Sequence, residues 1–163
     1  MSIDVFELAR LNGVIEGQVP LEAAVRLQAD LRSVSGAIEY RLEGRIDASG
    51  RPAAHLSLQA DLPLTCDRCA QLLMFHIEHQ GSFYFVRDES ELAALPITAA
   101  DDAEPLFGSN SFDVAALVED ETILCLPISP RHAECAPAAD EAASSRVVNP
   151  FAVLPGLLHK KGR

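Results

Sequence analysis

The chain has 163 residues, of which 48% are hydrophobic and only 6% aromatic, with no tryptophan. This length suits one domain, and this composition excludes a disordered chain. The formal net charge of −11 disfavours a broad nucleic-acid-binding surface, because such a charge repels a phosphate backbone. No apolar run approaches the length of a membrane span, and the first residues do not form a secretory signal. We therefore expect a single cytoplasmic domain over residues 1–163.

The N-terminal part of the chain carries weak structural signals. We expect a short opening element within residues 1–33, followed by a polar turn at Glu16-Gly17-Gln18. The segment from Pro20 to Arg32 has apolar residues at helical spacing and predicts a helix. Extended backbone around Val19-Pro20-Leu21 fits the same residues equally well, so both interpretations stay open.

From residue 34 to residue 86 the hydrophobic pattern has a period of two, which is typical of half-buried strands. On the predicted buried face of the first run lie Val34, Gly36, Ile38, Tyr40, Leu42, Gly44 and Ile46. On that of the second lie Ala54, Leu56, Leu58, Ala60, Leu62 and Leu64. A third run extends from about Leu73 to Val86. A turn at 47–52 and a tight connector at 66–69 join the three runs, so we expect an antiparallel meander.

The C-terminal half alternates between polar segments and helices. Residues 87–111 predict a long acidic loop, and residues 136–148 predict a flexible linker. Asp113 is a good N-cap for a helix that ends before Pro127. A last helix is expected from Asn149 and Pro150, as N-cap and first helical residue. The predicted fold class is α+β, an antiparallel β-meander or partly closed sheet covered by one or two helices.

Two short motifs offer metal ligands. Cys66 and Cys69 have the C-x-x-C spacing with which two thiolates reach one tetrahedral metal from a tight turn. His132 and Cys135 offer a second pair, and the four together would form a closed, structural zinc site. Reduced thiols without a metal and a redox pair are the other interpretations. The redox interpretation is disfavoured because no helix is predicted to begin at the motif. Cys125 lies in an apolar run and is expected to be an inert core thiol.

Three adjacent carboxylates, Glu119, Asp120 and Glu121, follow on the helix predicted after Asp113. Consecutive helical residues point in different directions, so the three cannot converge on one cation. With Val114, Leu117 and Val118 on the buried side, we expect Glu119 and Asp120 to point outward, as a solvated face or a contact for a basic partner. Motifs of hydrolases and phosphate-binding loops are missing from the sequence, so we predict no catalytic residues and no small-molecule substrate.

The order of these motifs identifies a family resemblance. The Cys66–Cys69 motif precedes V-E-D-E-x-I-L-x-L-P at residues 118–127, then His132 and Cys135, then N-P-F-A-V-L at residues 149–154. From about Val34 onward the chain resembles the YceD family of large ribosomal RNA subunit accumulation proteins. The chain departs from the family pattern at Cys125, where a small residue is expected, at Pro155, where a helix-compatible residue is expected, and over the first 30 residues.

The resemblance implies a non-enzymatic role in the accumulation or processing of large-subunit (23S-type) ribosomal RNA. The net charge favours a basic ribosomal or assembly protein as partner over direct RNA contact, for which Arg68, Lys160 and Lys161 are the candidates. The predicted partner-binding residues are Glu119, Asp120, Glu121, Asn149, Pro150 and Phe151. The alternative is a metal-dependent RNA-processing hydrolase that uses the cysteine and histidine cluster.

Overall fold

The computed structural model describes residues 2–94 and 103–137. Within these two ranges, seven strands, three α-helices and one 3₁₀ turn follow one another. They are β1 (Ser2–Ile3), α1 (Val5–Leu11), β2 (Val14–Pro20), the 3₁₀ turn (Leu27–Asp30), β3 (Ala37–Ile46), β4 (Pro52–Thr65), β5 (Leu72–Val86), α2 (Glu89–Ala93), β6 (Glu104–Phe107), β7 (Phe112–Asp113) and α3 (Val114–Leu124).

The main sheet has five strands in the order β2-β3-β4-β5-β6. The first four are antiparallel neighbours joined in sequence, and β6 runs parallel to β5. Strands β1 and β7 form a separate antiparallel pair. The predicted α+β fold with an antiparallel meander is confirmed. The sheet is open, since β2 and β6 form its two edges and do not pair with each other.

One face of the sheet carries the core, as the period-two pattern predicted for most positions. The prediction is wrong at the ends of the first run, where Val34, Gly36 and Ile46 are exposed. Leu42 lies opposite Leu56 in the register, and both are fully buried. Helices α1 and α3 contribute Val5, Val114 and Val118 to the same hydrophobic cluster. Helix α1 crosses β3 closely at Gly44, where an added Cβ would lie 2.4 Å from the carbonyl oxygen of Leu8. The glycine is therefore required by backbone contact between the helix and the sheet.

The opposite face of the sheet is polar and forms a shallow concavity. Across four strands the register aligns Gln18, Glu39, Gln59 and Glu78 in one row. The Gln18 and Gln59 side-chain amides donate hydrogen bonds to the two carboxylate oxygens of Glu39, at 3.1 and 2.6 Å. In the neighbouring row Arg41 pairs with Glu16, and it also bonds to Glu43. Most of this face is an acid-rich layer of exposed side chains. At one end, α2 covers it: Leu92 packs against a second buried apolar cluster of Ala53, Tyr84 and Val86.

Two predictions for the N-terminal part are wrong. Glu16-Gly17-Gln18 is not a turn but the middle of β2, where it pairs with residues 39–41 of β3. The predicted helix from Pro20 to Arg32 is reduced to the 3₁₀ turn, and the alternative of extended backbone at Val19 and Pro20 is the one that the structure adopts. Pairing with β3 supplies backbone hydrogen bonds that local propensity does not reveal. These bonds hold residues 14–20 in an extended strand, in place of the predicted turn and of the start of the predicted helix.

The C-terminal half matches the prediction at α3 and departs from it before that helix. The Asp113 side chain accepts a hydrogen bond from Ala115 N at 3.0 Å, and α3 ends at Leu124, ahead of Pro127. The segment 87–111 is not wholly irregular, because it contains α2, capped by Asp88, and the edge strand β6. Positions 138–148 of the predicted linker and the helix predicted from Asn149 lie outside the described residues.

Candidate metal centre

The first half of the candidate centre is the tight connection between β4 and β5. Cys66 N donates a hydrogen bond to the Gln71 carbonyl at 2.9 Å, and Ala70 N donates to the Cys66 carbonyl at 2.9 Å. Ala70 has a φ of 57°, a left-handed conformation that lets the chain reverse within this short loop. The loop places the Cys66 and Cys69 side chains on the same side of the turn, as the C-x-x-C spacing predicted.

The second half is the loop that follows α3, and it is tied to the first through Asp67. Asp67 N donates a hydrogen bond to the Pro130 carbonyl at 2.8 Å, and the Ser129 hydroxyl donates to the Asp67 carboxylate at 2.6 Å. These two bonds fix the later loop against the first one. As a result, His132 and Cys135 come to lie beside Cys66 and Cys69.

The four predicted ligands form one compact group, with all ligand atoms within 4.8 Å of one another. The Sγ atoms of Cys66 and Cys135 are 3.8 Å apart, and Cys69 Sγ lies 3.4 Å from His132 Nδ1. Zinc–sulfur bonds of about 2.3 Å at tetrahedral angles place two sulfurs about 3.8 Å apart, and a sulfur and an imidazole nitrogen about 3.5 Å apart. These two pairs therefore have the spacing of a tetrahedral site, and the group of four could hold a metal ion.

The orientation of His132 is set by a contact that the sequence did not reveal. His132 Nε2 lies 3.0 Å from the Leu72 carbonyl oxygen, which can only accept a hydrogen bond. In the neutral ring this contact assigns the proton to Nε2 and leaves the lone pair on Nδ1, the atom that faces Cys69. A backbone carbonyl that orients the imidazole in this way is the usual outer partner of a metal-binding histidine.

The thiols differ in their electrostatic surroundings. Burial of Cys66 by itself raises its pKa, but the backbone N–H groups of His132, Cys69 and Arg68 favour the thiolate and bring the pKa to about 5. Burial and the neighbouring sulfurs of Cys66 and Cys69 raise the pKa of Cys135. All four cysteines of the chain are free thiols, so no disulfide competes for the candidate ligands. A thiolate at Cys66 is the form that binds a metal cation.

The acidic triplet occupies a different environment from the one predicted. Glu119 is buried, and the expectation that it points outward is wrong. Its carboxylate accepts hydrogen bonds from Arg26 N at 2.6 Å and Leu27 N at 3.2 Å, and it pairs with the Arg26 guanidinium. Asp120 is half exposed and also pairs with Arg26. Glu121 is buried and lies 3.0 Å from His79 Nε2.

Arg26, the partner of Glu119 and Asp120, is the residue of this region that sequence reasoning missed. It lies 93 positions before Glu119, and no motif or spacing in the chain links the two residues. Of the other predicted partner-binding residues, Asn149, Pro150 and Phe151 fall outside the described part of the chain. Cys125 forms the C-terminal cap of α3, and burial together with the charge of Glu121 raises its pKa, as expected for an unreactive thiol.

The fold and the centre place the chain in the class of α+β proteins with an open sheet. Its longest hairpin, β4–β5, carries part of a group of four cysteine and histidine ligands. The model of the YceD family, described as the large ribosomal RNA subunit accumulation protein, matches residues 54–158. The match spans more than half of the chain and includes all four candidate ligands, so the chain belongs to the YceD family and the predicted resemblance is confirmed. No solved structure matches the chain. None of the helices in the described ranges is both long and apolar enough to cross a bilayer.

Proposed function

We propose that the chain is a non-enzymatic cytoplasmic factor that supports the accumulation or processing of large-subunit (23S) ribosomal RNA. The observation that carries the proposal is the family match over residues 54–158, since the family is named for accumulation of this RNA. The candidate centre supports a non-catalytic role, because its four ligands are all protein side chains. A catalytic zinc keeps one position for water or substrate, and a closed site does not.

The proposed cofactor is one structural Zn²⁺ held by Cys66, Cys69, His132 and Cys135. Three sulfurs and one imidazole nitrogen in a tetrahedral arrangement suit zinc better than the oxygen-preferring magnesium or calcium. The ion would join the β4–β5 connection to the loop after α3, and so reinforce the hydrogen bonds that Asp67 makes to Pro130 and Ser129. The alternative of a metal-dependent hydrolase would need a base near the ion, whereas Glu119 and Glu121 are engaged by Arg26 and His79.

The proposed partner is a basic ribosomal or ribosome-assembly protein. The net charge of −11 favours association with a positively charged surface and speeds such encounters at low salt. On α3, Asp120 can be reached by a partner because its side chain is 52% exposed, and so is the Arg26 guanidinium with which it pairs, at 53%. The segment beginning with Asn149, Pro150 and Phe151 completes the proposed docking region. Glu119 and Glu121 would act indirectly, by fixing the helix that carries Asp120.

The test compares two cysteine variants in cells that depend on this chain. Cys66→Ser removes a proposed zinc ligand, whereas Cys125→Ser changes a thiol outside the group of four ligands. We expect Cys66→Ser to lower bound zinc and the ratio of 23S to 16S ribosomal RNA, and Cys125→Ser to leave both unchanged. The two quantities are measured by metal analysis of the purified protein and by quantifying total RNA. A normal 23S to 16S ratio in cells lacking the whole chain would refute the proposed function.

A further inference from the structure

Three arginines surround the candidate metal centre, and each is fixed by a hydrogen bond to one of its two loops. Arg32 Nη1 donates to the Ala70 carbonyl at 2.9 Å, and Arg68 Nη1 donates to the Cys135 carbonyl at 3.5 Å. Arg131 Nε donates to the Ser129 hydroxyl at 3.1 Å. All three residues are exposed. We call Arg32, Arg68 and Arg131 the arginine rim.

Four of the six other arginines in the described ranges have a carboxylate partner, whereas the rim arginines, like Arg45 and Arg87, show none there. Within residues 2–94 and 103–137, no carboxylate lies within ion-pair distance of any of the three. Carboxylate partners are found instead at Arg10, Arg26, Arg41 and Arg51. The contrast is informative because acidic residues outnumber Lys and Arg by 24 to 13. The two carboxylates of the same loops are Asp67, which accepts the Ser129 hydroxyl, and Glu134.

A guanidinium group has five N–H donors in a planar fork, and each rim arginine uses only one for the hydrogen bond to its loop. The remaining donors suit the paired oxygens of a phosphate group. The hydrogen bonds to the loops restrict the side chains before a ligand arrives, which lowers the entropic cost of binding. We propose that the arginine rim binds phosphate groups of RNA, as a direct RNA-contacting site beside the metal centre.

The overall negative charge does not prevent this contact. At physiological ionic strength the Debye length is about 8 Å, so exposed charges farther away than this are largely screened. The acid-rich row with Glu39 and Glu78 belongs to the polar face of the sheet, away from the connection that carries Arg68. Short-range contacts at the rim therefore decide binding once RNA is near, while distant acidic residues mainly slow the approach. The choice of RNA as the ligand depends on the proposed function, because carboxylates also pair with guanidinium groups.

The experiment measures binding of the zinc-loaded full chain to an in vitro transcribed, single-stranded fragment of large-subunit ribosomal RNA. The variant Arg32→Gln, Arg68→Gln, Arg131→Gln is compared with Arg10→Gln, Arg41→Gln, Arg45→Gln, which loses the same charge elsewhere. At about 0.15 M salt, loss of three phosphate contacts should weaken binding roughly 50-fold and reduce the slope of log K against log salt by about 2. The control should change affinity less than about threefold, as expected for screened charges.

Zinc content and melting temperature of the rim variant show that it is folded. A second variant with lysine at the three rim positions keeps the charge and loses the fork, so it should recover part of the affinity. Equal losses in the rim and control variants, or no RNA binding by the unmodified chain, would overturn the proposal. Tighter binding of polyglutamate than of RNA at the rim would also overturn it, in favour of an acidic protein. None of these results depends on 23S levels in cells, so failure of the rim and failure of the proposed function are distinguishable.

Discussion

The buried carboxylate of Glu119 should be a major contributor to stability, because it links α3 to the 3₁₀ turn. Glu119→Ala leaves Arg26 N and Leu27 N without their acceptor. A buried donor left unsatisfied costs about 1–3 kcal/mol. The Arg26 side chain is 53% exposed, so its ion pair adds at most about 1 kcal/mol. We expect the free energy of unfolding to fall by about 3 kcal/mol, a large share of the 5–15 kcal/mol that is typical of a domain.

The matched control is Asp120→Ala on the next residue of the same helix. Asp120 is 52% exposed and pairs with the exposed Arg26 guanidinium, so its loss should cost no more than about 1 kcal/mol. Urea denaturation followed by circular dichroism gives both free energies. Equal, small losses for the two variants would refute the reasoning, because they would show that Glu119 is solvated.

The same carboxylate should make stability depend on pH. Burial of Glu119 raises its pKa, but the N–H groups of Leu27 and Arg26 outweigh burial and hold the pKa below its ordinary value. The stabilisation is therefore complete above the unfolded pKa of about 4.3 and is lost as the pH falls through the lower, folded pKa. The gap in unfolding free energy between the unmodified chain and Glu119→Gln should narrow as the pH falls below about 4. A gap that is constant from neutral to acidic pH would contradict this assignment.

Two further predictions concern the metal and the contact between α1 and the sheet. Chelation of the zinc-loaded chain should lower its melting temperature by more than about 10 °C in calorimetry, because structural zinc supplies about 10 kcal/mol of apparent binding energy in small domains; an unchanged melting temperature would exclude a structural metal. Gly44→Ala should cost about 3 kcal/mol in urea denaturation, because the new Cβ would lie 2.4 Å from the Leu8 carbonyl oxygen, which is backbone and has no side-chain torsion to relieve the clash. Ser57→Ala, on the polar face of the sheet, is its control and should change stability by no more than about 0.5 kcal/mol.

The metal ligands could be predicted because chelating residues occur in short, local pairs. Cys66 with Cys69, and His132 with Cys135, each show their ligand spacing directly in the sequence. The contacts that orient them are backbone groups, such as the Leu72 carbonyl that holds His132. Every residue carries such a group, so no residue type marks the one that is used. The arginine rim is hidden for a similar reason, since Arg32 and Arg68 are fixed by the backbone carbonyls of Ala70 and Cys135.

The sequence by itself determined the long strands β3, β4 and β5 and the start of α3 at Asp113. Side-chain alternation and N-capping act over a few neighbouring residues, so their signals survive in the linear chain. Only the tertiary structure decided that Glu16-Gly17-Gln18 is a strand and that Glu119 faces Arg26. Both outcomes depend on partners far away in sequence, 93 positions in the case of Glu119. Burial changes the free energy of a carboxylate or a backbone N–H only after folding has brought its partner within hydrogen-bonding distance.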